Sequence, residues 1–227
     1  KIMHDDDWFS GPNSLAAFAD VAGKERSAFI FSSYYDVFFA TGKEKRIIPP
    51  AFLFRILRKE PVILISRNII GPPSVVMHRN DGQHFYDDKL KWLVDIDMYV
   101  RRLQNNQIVY LPEPLIKVGI GDDQVTASVH GSPQVEVPEY FHFLQKTGIE
   151  KLKNILVYDA WWRFLRNFKL FSDTAIRSYG YEGFIHPVIL KMMLWQKRFP
   201  SFILESGVFS KTIMFFHFLV NRNKLSK

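Results

Sequence analysis

The chain has 227 residues and 47% hydrophobic content, enough to bury a core for one large domain or one and a half. It has no cysteine, which excludes disulfides, thiolate metal sites and a cysteine nucleophile. Its net charge of +7 is uneven: residues 1–140 carry 16 Lys+Arg against 18 Asp+Glu, whereas residues 141–227 carry 14 against 5. A basic, aromatic C-terminal part suits anionic lipid or phosphate better than nucleic acid, because the basic residues alternate with bulky apolar ones instead of forming runs.

In chain order, "KIMHDDDWF" puts the end of a strand at Lys1–Met3 and three carboxylates directly after it. "GPNSLAAFADVAGK" predicts a short helix capped by Asn13 or Ser14, with Leu15, Phe18 and Ala19 on one face and Gly23 at its end. "SAFIFSSYYDVF" reads as a strand, and "PPAFLFRILRK" as a helix with Phe52, Ile56 and Lys59 at helical spacing, ending before Pro61. "IIGPPSVVMHRN" is a Gly-Pro turn into a strand from Ser74 to His78, and a helix begins near Val94 and runs to the Asn pair. "IVYLPEPLIKVGIG" gives two short strands parted by Pro112 and Pro114. Strands alternating with helices indicate an α/β fold to about residue 130. Pro133 and Pro138 bracket a linker, so the domains are 1–133 and 134–227, the second helical over 140–147, 149–170, 186–198 and 206–221. The opening "KIMHDDD" does not read as a signal peptide, and the apolar stretch Phe215–Val220 is far short of the ~20 residues a bilayer span needs.

Two groups of residues carry chemistry. Asp5, Asp6 and Asp7, at a strand's carboxyl end, sit where open α/β sheets bind ligands, and clustered hard oxygen donors suit Mg²⁺ or Mn²⁺. An acidic exposed turn is the plainer alternative. In "KWLVDIDMYVRRL", Asp97 faces Arg101 across one helical turn, which leaves Asp95 as the freer base, or else a helix N-cap. Gly71 permits a turn that Pro72 and Pro73 then stiffen, enough to pin the floor of a pocket or simply to make a tight connection. The seven histidines show no metal-ligand spacing.

Taken in order, "HDDDWF", "IGPPSVVMHR", "FYDDKLKWLVDIDMYVRRL" and "IVYLPEPLIKVGIGDDQVT" resemble a family 2 glycosyltransferase of GT-A fold over residues 1 to about 130. The resemblance implies a partial GT-A (Rossmann-like) mixed sheet with flanking helices, followed by a C-terminal helical region. It implies Asp6 as ligand of Mg²⁺ or Mn²⁺, with Asp5 and Asp7 as rivals, and His4, Trp8, Gln124 and Thr126 beside the donor diphosphate. Asp95 becomes the base that takes the acceptor hydroxyl proton, and Gly71, Ser74 and Trp92 the acceptor side.

The implied reaction moves one sugar, with inversion, from a nucleotide-diphosphate sugar to a glycan or lipid-linked acceptor. One base and one metal suffice because the leaving group is already an anion, whereas a glycosidase must protonate a poor one. The chain departs from the family pattern in three ways. "GIGDDQVT" stands where many relatives have a histidine, and the QxxRW segment of processive synthases is absent. Only "KIM" precedes the aspartates here, so at ~30 residues per βαβ unit the resemblance implies a further stretch on the order of 80 to 100 residues of nucleotide-binding units, and weak donor affinity is expected without it.

The expected location is cytoplasmic, peripheral on the inner face of the membrane through 141–227, with Trp161, Trp162, Arg163, Arg166 and Lys169 showing the aromatic and basic mixture. Packing in the core is the competing use of those aromatics. A non-catalytic interaction module lacking donor binding is the alternative function, and a metal-dependent phosphohydrolase is a poorer third.

Overall fold

A computed structural model of the chain describes residues 1–25, 29–82, 84–104, 106–121 and 129–225. They form two compact units, Lys1–Asp88 with Val94–Ser128, and Lys89–Leu93 with Val129–Lys227.

The first unit is α/β. Its elements are β1 (Asp7–Phe9), α1 (Ser14–Lys24), β2 (Phe29–Phe38), β3 (Lys43–Ile47), α2 (Ala51–Leu57), β4 (Val76–Met77), α3 (Val94–Leu103) and β5 (Ile108–Ile120). The sheet is mixed, in the order β1-β5-β2-β3, with β4 also on β2. Strand β2 runs parallel to β5, and the other pairings are antiparallel. Residues Phe29 to Ser33 of β2 are buried on both faces, as a central strand covered by helices requires, so their sequence shows no alternation.

Several expectations change. Residues 1–3 are not a strand: Asp5 and Asp6 precede β1, which begins at Asp7. Because β1 is antiparallel to β5, with Asp7 opposite Val118, that start still lies level with the carboxyl end of β5. The prolines do not break β5 in two. Its register with β2 shifts between Ser32, opposite Leu111, and Ser33, opposite Pro114, so Pro112 and Glu113 are bulged out and one strand continues. The strand expected over Ser74–His78 is a 3₁₀ turn at Pro73–Val75 followed by the two residues of β4.

Helix α1 runs through Gly23, and it buries Phe18 while exposing Leu15 and Ala19. In α2 the buried residues are Leu53 and Leu57, with Phe52 and Lys59 outside. In short helices with apolar residues on several sides, spacing alone does not choose the inner face.

The second unit is helical: α4 (Pro133–Thr147), α5 (Ile155–Asn167), α6 (Asp173–Arg177), α7 (Pro187–Gln196), α8 (Ser201–Glu205) and α9 (Gly207–Asn221). The expected Pro133–Pro138 linker is the start of α4. Pro133 occupies the first turn, where its missing N–H costs nothing, and only Pro138 gives up a helical bond. A 3₁₀ turn at Ile149–Lys153 and the Asn154 cap, whose side chain accepts from Leu156 N, separate α4 from α5, so no single helix spans 149–170. Trp161 and Trp162 are core residues, with Trp161 edge-on to Phe141, Tyr140 and Phe164. They are not membrane-facing.

The second unit also holds Lys89–Leu93, which the sequence boundary places in the first. The reason is local: buried Glu139 accepts hydrogen bonds from the backbone N–H groups of Lys91, Trp92 and Leu93 at 2.6, 2.9 and 2.9 Å. Replacing Glu139 with Ala leaves three donors without their acceptor. It is expected to destabilise the chain by about 3 kcal/mol in urea unfolding.

Candidate functional site

The sharp turn around Gly71 organises the candidate site. Gly71 has φ +111°, and a Cβ there would lie 2.7 Å from Tyr34 Cε1, so this position takes only glycine. Asn68 Oδ1 accepts from the Ile70 and Gly71 N–H groups, and the Gly71 carbonyl accepts from Asn68 Nδ2 and the Tyr99 hydroxyl. Gly71→Ala is expected to cost about 2–3 kcal/mol in thermal or denaturant unfolding, through backbone strain together with the clash on Tyr34.

Two segments dock on this turn. The buried Ser74 Oγ accepts from His4 N at 2.9 Å, and the Ser74 carbonyl accepts from Lys1 Nζ, which fixes residues 1–4. Helix α3 docks through Tyr99, one turn beyond Asp95. The turn therefore brings the aspartate segment and Asp95 together, and His4 is close enough to Asp95 and Asp7 to act electrostatically on both.

His4, Asp6 and Asp7 each offer one ligand atom, all within 4.8 Å of one another. Asp7 is buried at the start of β1. Its Oδ1 accepts from Gly119 N at 3.1 Å, and its Oδ2 has no hydrogen-bond partner among the described residues. Burial raises the pKa of Asp7, partly offset by Ser74 and the Gly119 N–H. Gly119 is needed here, since a Cβ would collide with the Asp6 carbonyl and with the Phe39 ring. A nitrogen and two carboxylates this close together are a donor set that could hold a divalent cation. Asp5 is exposed and outside the trio, and His4 belongs to it, although sequence spacing gives no such sign.

Asp95 lies in the first turn of α3. Its pKa is pushed up to about 6 by burial, partly offset by His4. A helix N-terminus favours a carboxylate by ~1 kcal/mol or less, too little to cancel that desolvation. Two tyrosines stand by it: burial raises the pKa of Tyr86 and Tyr99, and the nearby Asp95 charge raises both further. Tyr86 follows a loop that Arg102 holds through the Arg79 and His84 carbonyls and Asp81, and that Arg101 holds through the Phe85 carbonyl. Arg101 also pairs with Asp97 at 2.8 Å, so the two aspartates of α3 have different surroundings.

Gly71 and Ser74 are buried, so they shape the wall and present no side-chain surface to an acceptor. Trp92 is in the second unit, stacked on His130 at 4.8 Å. Trp8 is exposed and stacks on Phe39. Gln124 and Thr126 lie outside the described residues. Sequence reasoning placed Tyr99 one turn on from Asp95 and missed Tyr86. Tyr99 was legible, because it stands four residues on from Asp95 on the same helix, whereas Tyr86 arrives through a loop.

Among the described residues no helix is long and apolar enough to cross a membrane. Comparison with protein-family models, with curated proteins and with solved structures finds no match to this chain.

Proposed function

We propose that this chain carries the metal and acceptor side of an inverting glycosyltransferase of GT-A type. It would move one sugar from a nucleotide-diphosphate sugar to a hydroxyl of a glycan or lipid-linked acceptor at the inner face of the cell membrane. The observation that carries this reading is the convergence, on the Gly71–Ser74 turn, of a possible cation trio and a separate half-buried carboxylate with a pKa of about 6.

Asp95 is ionised at neutral pH yet basic enough to take a proton, the compromise a general base requires. The acceptor O–H proton passes to Asp95 as that oxygen bonds to the anomeric carbon. The bond from this carbon to the diphosphate oxygen breaks on the opposite face, and the nucleoside diphosphate departs with the electron pair. His4, Asp6 and Asp7 would hold Mn²⁺ or Mg²⁺, the imidazole favouring Mn²⁺. Such an ion supplies electrostatic stabilisation to the departing diphosphate.

Calorimetric titration of the full chain with UDP, GDP and dTDP, with and without Mn²⁺, tests the reading. Weak binding of at least one nucleotide, at high nucleotide concentration and requiring the metal, is expected. Metal-independent binding, or none of the three, would overturn it.

A further inference from the structure

Helix α9 is apolar on both sides. Its inner face, with Met214, His217 and Phe218, is buried in the second unit. Its outer face presents Val208, Phe209, Phe215, Phe216, Leu219 and Val220 to solvent, with Val208 75% and Val220 64% exposed. At 100° per residue these six side chains span one continuous arc interrupted only by Thr212. Helix α8, packed beside α9, adds exposed Phe202. A soluble surface rarely carries so long an apolar strip without something to cover it.

Charge selects the cover. Lys211 and Arg222 stand three turns apart, within about 20° of each other, on one edge of the apolar arc. From residue 187 to 225 the sequence carries six Lys+Arg and one Glu. An apolar face lying flat, rimmed by cations whose aliphatic stems can bend toward phosphates, matches the interface of an anionic bilayer. An antiparallel two-fold contact with a second copy would instead bring the two cationic edges together.

We infer that the outer face of α9 inserts into the headgroup region of an anionic membrane, in the plane of the surface, with Lys211 and Arg222 on lipid phosphates. This deepens the proposed function, and rests on it only for the purpose of the contact: it names the surface that would hold the enzyme at a lipid-borne acceptor.

Co-sedimentation of the full chain with vesicles of phosphatidylcholine, alone or with about a third phosphatidylglycerol, tests it without donor, metal or turnover, so its failure is separate from failure of the catalytic reading. Binding on the order of tenfold stronger to the anionic vesicles, weakened by salt, is expected. The exposed double variant Phe216→Ser/Val220→Ser, checked for an unchanged circular dichroism spectrum, should lose binding to both vesicle types. Lys211→Glu/Arg222→Glu should lose the preference for anionic lipid. Parent protein left in the supernatant, or pelleting unaffected by either double variant, would overturn the inference. So would a dimer or a protein complex in light scattering that Phe216→Ser/Val220→Ser dissolves while vesicles bind nothing.

Discussion

Asp95→Asn is expected to abolish sugar transfer while making the protein more stable. The asparagine keeps the shape of the side chain in the first turn of α3, beside Tyr86 and Tyr99, but cannot take a proton. Loss of a general base costs ~10²–10⁴-fold in turnover, and donor binding, which this residue does not supply, should stay within about twofold.

Stability moves the other way because burial raises the folded-state pKa of Asp95 from 3.8 to about 6. Between those values the folded chain keeps a proton that the unfolded chain releases. The residue therefore supports folding below pH 3.8, and that support is lost as the pH rises to about 6. At pH 7 the variant should be more stable by about 2 kcal/mol, allowing for the residue's partial exposure, with chelator present so that no cation shares the site. A pH profile supplies a second check: transfer by the parent should fall as the pH drops through about 6. Retained turnover in Asp95→Asn would end the base assignment, and a variant both inactive and destabilised would point to a structural role.

The α/β character of the first unit was legible because β2, α2, α3 and β5 each announce themselves by local pattern. What was not legible was decided by partners distant in sequence. The prolines in "YLPEPLI" look like a break, and only the parallel neighbour β2, shifting register at Ser33, shows that the strand absorbs them as a bulge. Lys89–Leu93 reads as the approach to α3, but Glu139, some 46 to 48 positions away, holds it in the other unit. Within the site, Asp95 stood out because Asp97 has Arg101 one turn on and Asp95 does not. Ser74 could be read only as a turn residue, since its bond to His4 N crosses 70 positions. His4 illustrates the limit best: metal-ligand spacing is a local signal, and adjacency to aspartates in sequence says nothing about which of three carboxylates a histidine will face.

Asp6→Ala should abolish metal-dependent nucleotide binding and weaken Mn²⁺ binding by at least about 100-fold, the scale on which even supporting residues of metal sites act. Asp7→Asn should do the same with the opposite effect on the metal-free protein. Its Oδ1 can still accept from Gly119 N, and the cost of burying a carboxylate whose pKa burial already raises disappears. The metal-free Asp7→Asn chain should therefore melt above the parent, whereas Mn²⁺ should raise the melting temperature of the parent alone. Because burial makes Asp7 hold its proton more tightly than an exposed aspartate, the parent's Mn²⁺ affinity should also fall as the pH is lowered. Thermal unfolding with and without Mn²⁺, and calorimetry at two pH values, measure all three effects. An unchanged Mn²⁺ response in Asp6→Ala would move the cation away from this trio. A response lost in Asp6→Ala but kept in Asp7→Asn would leave the buried Oδ2 without a ligand and confine the site to His4 and Asp6 at the surface.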